Sequence, residues 1–339
     1  MLTRRLTSLI LASTAFVSCA SASASTTTVA VPEISLTTMQ DVTTQLASDE
    51  FEGRAPGTRG EQLTVDLLID RFRAAGLQPG NNGSWVQDVP LVEMSATNMS
   101  HLVFNTPQGE QRLTVGDDFT ANSYRHVPRT EISNSELVFV GYGINAPERG
   151  WNDYAGIDVR GKTVVVLVND PDWATPTVGG QFNGRAMTYY GRWTYKYEEA
   201  ARQGAAAVLI VHDTEPAAYG WNVVRSSWTG PQFSAAAENN HMDQTQANGW
   251  IQLERARALF AAAGQDFDAL RARAGQPGFQ AVPLSGVTAS ISFDNEMRRF
   301  SSRNVIARLP GRTRPDEVVL YTAPVSYTHL RAHETGRNL

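Results

Sequence analysis

One cysteine, Cys19, and two lysines, Lys162 and Lys196, are all that this 339-residue chain holds of those residue types. A lone cysteine excludes a disulfide framework and a thiolate metal site. Long apolar runs are lacking too. The longest at the start, Leu9 to Cys19, is well short of the ~20 residues that span a bilayer. There is no G-x-S-x-G turn to present a nucleophilic serine, and no P-loop to cradle phosphates: Gly156 to Thr163 has the letters G-x-x-x-x-G-K-T but runs into the apolar stretch Lys162–Val168 and not into a helix. An excess of positive charge is missing as well. Lys and Arg number 29 against 34 Asp and Glu, a net charge of −5, which argues against a nucleic-acid partner.

What is present begins with an address. Arg4 and Arg5 precede the apolar run, and small residues follow through Ser25. This is the layout of a secretory signal over residues 1–24, with cleavage after Ala22 or Ala24. The alternative is a loose lipobox, Phe16-Val17-Ser18-Cys19, with Cys19 lipidated and the protein held at a membrane by that anchor. Either way the expected location is exported, periplasmic or extracellular. Loss of Arg4 and Arg5 leaves 27 basic residues against 34 acidic, a mature charge of −7. A mature soluble chain has no cysteine at all, so Cys19 cannot be a catalytic thiol in it.

The rest reads as an ordinary globular chain, 42% hydrophobic and 19% charged, of about two domains. Met39, Val42 and Leu46 recur at helical spacing. The loop D-E-F-E-G-R-A-P-G-T-R-G follows from Asp49 to Gly60. Thr58 and Glu61 then form a capping box for a helix that Gly76 stops. Short alternating runs from Ser84 to Phe119 predict antiparallel strands with a turn at Pro107-Gln108-Gly109. Lys162–Val168 and Ala205–Val211 are apolar throughout, as in strands buried on both faces. They flank a helix at Tyr190–Gln203. Helices are expected at Ile251–Ala263 and Phe267–Ala274. Strands are expected at Glu136–Val140, Val287–Phe293, Asn304–Leu309 and Glu317–Thr322, the last two opening a different sheet. This is an α/β or α+β pattern.

Several motifs invite chemistry, and each has a plainer reading. Gly141-Tyr142-Gly143-Ile144-Asn145-Ala146 matches a dinucleotide turn, yet Pro147 and Gly150 follow where a helix must start. A simple turn is the better reading. His212, Asp213 and Glu215 sit at a strand exit and have zinc-ligand chemistry, but no second cluster accompanies them. His241-Met242-Asp243 has a spacing that lets both side chains reach one metal from extended chain. His329 and His333 with Glu334 imitate the zinc-protease helix, except that the Glu follows the second His instead of the first. Tyr189, Tyr190, Trp193, Tyr195 and Tyr197 surround Lys196, either lining a cleft or packing one helix.

The block Leu46 to Thr58, L-A-S-D-E-F-E-G-R-A-P-G-T, followed by a helix ending A-A-G-L-Q-P, resembles the opening of bacterial two-zinc aminopeptidases. That clan includes glutamate carboxypeptidase and the transferrin receptor. Val138–Gly143, Gly156–Val168 and Ala200–Val211 resemble the protease-associated domain inserted in many of its members. Ser302–Ala323 resembles the strand pair that opens the peptidase sheet. The resemblance implies an incomplete zinc-exopeptidase α/β domain with an inserted β-rich protease-associated domain. Its divisions are residues 25–128, an insert over 129–280, first peptidase strands over 281–323 and a foreign-looking tail over 324–339. In the family the last strand runs into a His-x-Asp segment, and two zinc ions, a Glu general base and a peptide substrate complete the site. Here Pro324 stands where the first His is expected. The resemblance therefore assigns no catalytic, cofactor-binding or metal residue to any position, and no zinc is expected in this chain itself. The expected function is the N-terminal fragment of an exported zinc-dependent aminopeptidase, inactive alone. The alternatives are a non-catalytic protease-associated binding module and a receptor-like protein that kept the fold without the metals.

Overall fold

The computed structural model describes residues 33–176 and 179–325. The chain divides into two compact units at Leu46/Ala47. The first contributes a single helix, α1 (Leu36–Leu46). The second opens with a 3₁₀ turn, Asp49–Arg54, and α2 (Arg59–Ala74). The Thr58 hydroxyl accepts from the Glu61 amide at 3.4 Å, and the Glu61 carboxylate accepts from the Gly57 amide at 2.5 Å. The expected capping box is thus made, with the carboxylate reaching one residue further back.

Fourteen strands follow among the described residues. β1 (Gln78–Pro79), β2 (Val86–Thr97), β3 (Leu102–Thr106), β4 (Gly109–Leu113), β5 (Phe119–Asn122) and β6 (Arg129–Phe139) precede a small hairpin, β7 (Asn145–Ala146) with β8 (Trp151–Asn152). Then β9 (Thr163–Leu167), α3 (Trp193–Arg202) and β10 (Ala207–His212) form a strand–helix–strand unit. Next come α4 (Thr214–Ala217), α5 (Trp221–Trp228), β11 (Gln232–Ala235), β12 (Ala247–Gln252), α6 (Leu253–Ala262), α7 (Phe267–Ala274), β13 (Val282–Val305) and β14 (Ala307–Arg308).

Ten strands form one mixed sheet in the order β11-β2-β13-β6-β9-β10-β12-β5, with β3 on β13 and β4 on β3. The segment β6-β9-β10-β12 is parallel. Its strands are sandwiched, which explains their unbroken apolar sequence. Val164, Val166, Val208 and Ile210 point to one layer with Tyr197 and Ala200 of α3 and Val224 and Trp228 of α5. Val165, Leu167, Leu209 and Val211 point to the other with Leu259 and Phe260 of α6 and Phe267 and Leu270 of α7. The fold is therefore α/β.

β13 departs most from the sequence reading. It is 24 residues long and pairs with β6 through Asp294, then with β2 from Asp294 to Val305. Asn304 and Val305 thus close the main sheet and do not open another; only Ala307–Arg308 leaves it, pairing with Gln78–Pro79. One sheet consequently runs across positions 128/129 and 280/281. The strand expected at Glu317–Thr322 is irregular chain. Its residues have strong strand propensity, yet none of them pairs with a neighbouring strand among the described residues, and propensity alone does not hold an isolated strand in water. β12 was hidden from the sequence because Asn248 and Gly249 interrupt its apolar pattern; the first two residues of the helix expected at Ile251 belong to it. α4, α5 and β11 were likewise not anticipated.

Candidate functional site

In open α/β sheets, ligands gather at the carboxyl ends of the parallel strands. Here those ends deliver Tyr142 after β6, Asn169 and Asp170 after β9, and His212 and Asp213 after β10. The Gly141-Tyr142-Gly143 segment is a tight turn. Both glycines are left-handed, with φ of 55° and 62°, and the Gly143 amide donates to the Val140 carbonyl at 2.7 Å. A Cβ on Gly141 would lie 2.8 Å from the Phe279 ring, so glycine is needed for the turn and for close packing. The β7–β8 hairpin follows it, with a 3₁₀ turn at Pro147–Arg149 between the two strands. No helix N-terminus is presented to a pyrophosphate.

The turn instead receives Lys196 from α3. Its side chain is fully buried, and Nζ donates to the carbonyl oxygens of Tyr142 at 2.6 Å and Asn169 at 3.0 Å. Two buried carboxylates, Asp153 and Asp170, act on it electrostatically. Asp153 accepts from the Ile144 amide at 3.0 Å and the Trp151 indole at 2.7 Å. Asp170 accepts from the Thr188 amide at 2.6 Å and hydroxyl at 2.9 Å. Gly191 lets Asp170 approach, since a Cβ there would sit 2.9 Å from its carboxyl carbon. Burial pushes the Lys196 ammonium down to about 8, against the pull of Asp170 and Asp153. Burial likewise raises Asp153 to about 7, against its hydrogen bonds and the lysine. In both groups desolvation outweighs attraction, which is the ordinary outcome for charges taken out of water.

This cluster is closed. Tyr195 and Tyr197 are buried beside Lys196, and only Tyr189 of the aromatic group is exposed. The aromatic residues pack edge to face within one helix and its approach, as in Tyr190–Tyr195 at 5.0 Å and Trp193–Tyr197 at 5.9 Å. They line no open cleft. Just beyond, Tyr142, Trp173, Asp213, Arg271 and Phe267 surround a cavity of ≈10 Å³. That is room for about one water, far below the roughly 300 Å³ of a small-molecule site. Asp213 is spent on Arg271 at 2.7 Å and on capping α4.

The remaining candidates do not converge on a metal. His212 Nε2–H donates to the Tyr219 carbonyl, 3.0 Å away, among the rings of Trp221 and Trp250. His241 bonds the Ala235 carbonyl at 2.8 Å and stands edge-on to His126, ring centroids 4.7 Å apart. Asp243 accepts from Asn239 at 2.9 Å. Among the described residues no three His, Cys, Asp or Glu side chains gather as a metal site would require. The donor set does not fit a two-zinc centre. Cys19, His329, His333 and Glu334 lie outside the described residues. No local sequence signal marks His126 as a partner for His241, because the two lie in loops 115 residues apart that only the folded chain brings together.

No protein-family profile matches the chain, and no curated protein matches its sequence. Among solved structures, an aminopeptidase from Aneurinibacillus sp. strain AM-1 is similar at 20% identity and a TM-score of 0.36. The match covers 78% of this chain and 47% of that one, so the chain spans less than half of that structure's length.

Proposed function

We propose that this chain is the N-terminal part of an exported two-zinc aminopeptidase that removes N-terminal residues from peptides, and that it has no hydrolytic activity by itself. One observation supports this above the others. The two sequence blocks that resemble the frame of the peptidase domain, 46–79 and 302–323, are more than 220 residues apart, and α2 and β1 of the first meet residues 302–308 of the second. Gln78 pairs with Arg308 and Pro79 with Ala307. The Gly80 amide donates to the Ile306 carbonyl at 2.9 Å, and the Ile306 amide to Trp85 at 2.8 Å. Glu61 of α2 accepts from the Ser302 hydroxyl and, at 3.0 Å, from the Arg303 amide. Such closure is what a frame interrupted by an insert requires.

In the proposed whole enzyme, paired zinc ions would supply an acidified water and polarise the scissile carbonyl. The residues of this chain would hold neither ion. Their part is to hold α2 and β1 against β13 and β14, the strands that precede the apolar run Val318–Tyr321. The test is amino-acid release from an unblocked peptide by the purified chain, with added zinc and with chelator. No release in either condition is expected. Chelator-sensitive release would overturn the proposal.

A further inference from the structure

We propose that the His126–His241 pair is an acid-released latch that holds the 236–245 loop and edge strand β11 closed. The inference is independent of the peptidase reading.

His126 is 5% exposed. Its Nε2 meets the Ser234 hydroxyl of β11 at 2.8 Å, and its backbone amide donates to the Asn240 carbonyl at 2.9 Å. Its Nδ1 is buried and has no hydrogen-bond partner. A neutral imidazole tolerates that arrangement, because the bare nitrogen is an acceptor and Nε2–H can donate to Ser234. An imidazolium carries a proton on both nitrogens. Its Nδ1–H would then be a buried donor with nothing to receive it, the expensive case for a hydrogen-bonding group.

The charges around the ring act the same way. His241, from the loop, and Arg299, from β13, both oppose a charge on His126, and burial opposes it more strongly still. No carboxylate acts on it to compensate. Arg125, its chain neighbour, turns Nε to the Gln244 carbonyl at 2.7 Å. Asp243 interacts with Arg125 and with His241, and neither it nor Glu238, the loop's other carboxylate, acts on His126.

What the latch holds is under tension. Asn240 and His241 are consecutive non-glycine residues in the left-handed region, with φ of 52° and 53°, a conformation that persists only when surroundings impose it. Besides Arg125 to Gln244, the loop is tied by Arg299 Nη2 to Asn240 Oδ1 at 2.9 Å, by Ala236 N to the Pro90 carbonyl at 2.9 Å and by Thr245 Oγ1 to Asn248 at 2.6 Å. Beneath it, β11 is a four-residue strand paired only to β2. Because the folded ring resists protonation, the latch is intact above the ordinary histidine value of 6.5 and weakens as pH falls below it.

Amide hydrogen exchange of the full chain tests this, read at about pH 7.5 and about pH 5 after correction for intrinsic rates. Residues 232–245 are expected to exchange about tenfold faster, relative to α6 and α7, at the acid pH. His126→Gln keeps a donor for Ser234 and cannot charge, so its segment stays protected at both pH values. Should that variant not fold, Arg299→Gln is read instead: loss of the Asn240 tie lowers protection at both pH values, and loss of the charge beside His126 makes the acid-induced gain in exchange smaller than in the wild type. A wild-type segment no more pH-sensitive than α6 and α7, or equal sensitivity in His126→Gln, would overturn the latch.

Discussion

Thr163–Leu167 and Val318–Tyr321 are nearly the same sequence, T-V-V-V-L against V-V-L-Y, and they meet opposite fates. The first is β9, every residue buried, hydrogen-bonded to β6 on one side and β10 on the other. In the second, Val318, Val319, Leu320 and Tyr321 are 83%, 79%, 78% and 91% exposed. Strand-forming residues became a strand only where neighbours and two apolar layers were available. The comparison also shows what else β9 has. Its exit at Asn169 is tied to α3 by Lys196, whereas nothing among the described residues ties the later run.

Breaking that tie should have the largest effect. Lys196→Met removes the buried cation of this cluster and leaves Asp153 and Asp170 in the interior without it. Loss of one partner from a buried charge cluster costs about 3–5 kcal/mol, and the Tyr142 and Asn169 carbonyls lose their donor as well. Urea unfolding, followed by the fluorescence of buried tryptophans such as Trp250, should show the midpoint fall accordingly. An unchanged midpoint would mean that the lysine is not what anchors β9.

The opposite side of the anchor sharpens the comparison through pH. Asp153→Asn sets an amide NH₂ against one of the two donors that the carboxylate now accepts from, Ile144 N or Trp151 Nε1, at about 1–3 kcal/mol. The wild-type carboxyl has a folded value of about 7, above its ordinary 3.8. Between those values the folded state binds the proton more readily than the unfolded state. This group's contribution to stability is therefore full at the acid end and is lost as pH rises through 7. The variant cannot gain it, so the stability gap between the two proteins should widen as pH is lowered from 7 toward 4. A gap that narrows would reverse the assignment of burial as the dominant influence.

How far the sequence carried the reading follows the same division. β9, β10, α2 and the β3–β4 hairpin were legible because their signals are local: unbroken apolar runs, a Thr58–Glu61 box, a Gly109 turn. β12 was not, since Asn248 and Gly249 are poor strand formers that become one through pairing with β10 and β5. β13 was legible only in part, because alternation from Val287 to Phe293 says nothing about the ribbon that continues to Val305. The Lys196 cluster was half visible. The aromatic residues drew attention to α3, but Asp153 and Asp170 reach it from loops that no spacing rule connects. The same holds for His126, whose partner lies 115 residues on and was read as one half of a metal triplet.

The smallest expected effect on folding comes from the exposed run itself. Val319→Lys places a charge in a segment that buries nothing, and surface substitutions of this kind stay within about 0.5 kcal/mol. Its effect should appear in association instead. Four consecutive exposed apolar residues with free backbone groups form a template for intermolecular strand pairing, and a lysine is the usual gatekeeper against it. Light scattering of the wild-type chain should therefore rise with concentration, and Val319→Lys should suppress that rise while leaving the urea midpoint in place. If the variant associates as strongly as the parent, the run is not the sticky element. The contrast with β9 would then rest on burial alone and not on an unmet demand for a partner strand.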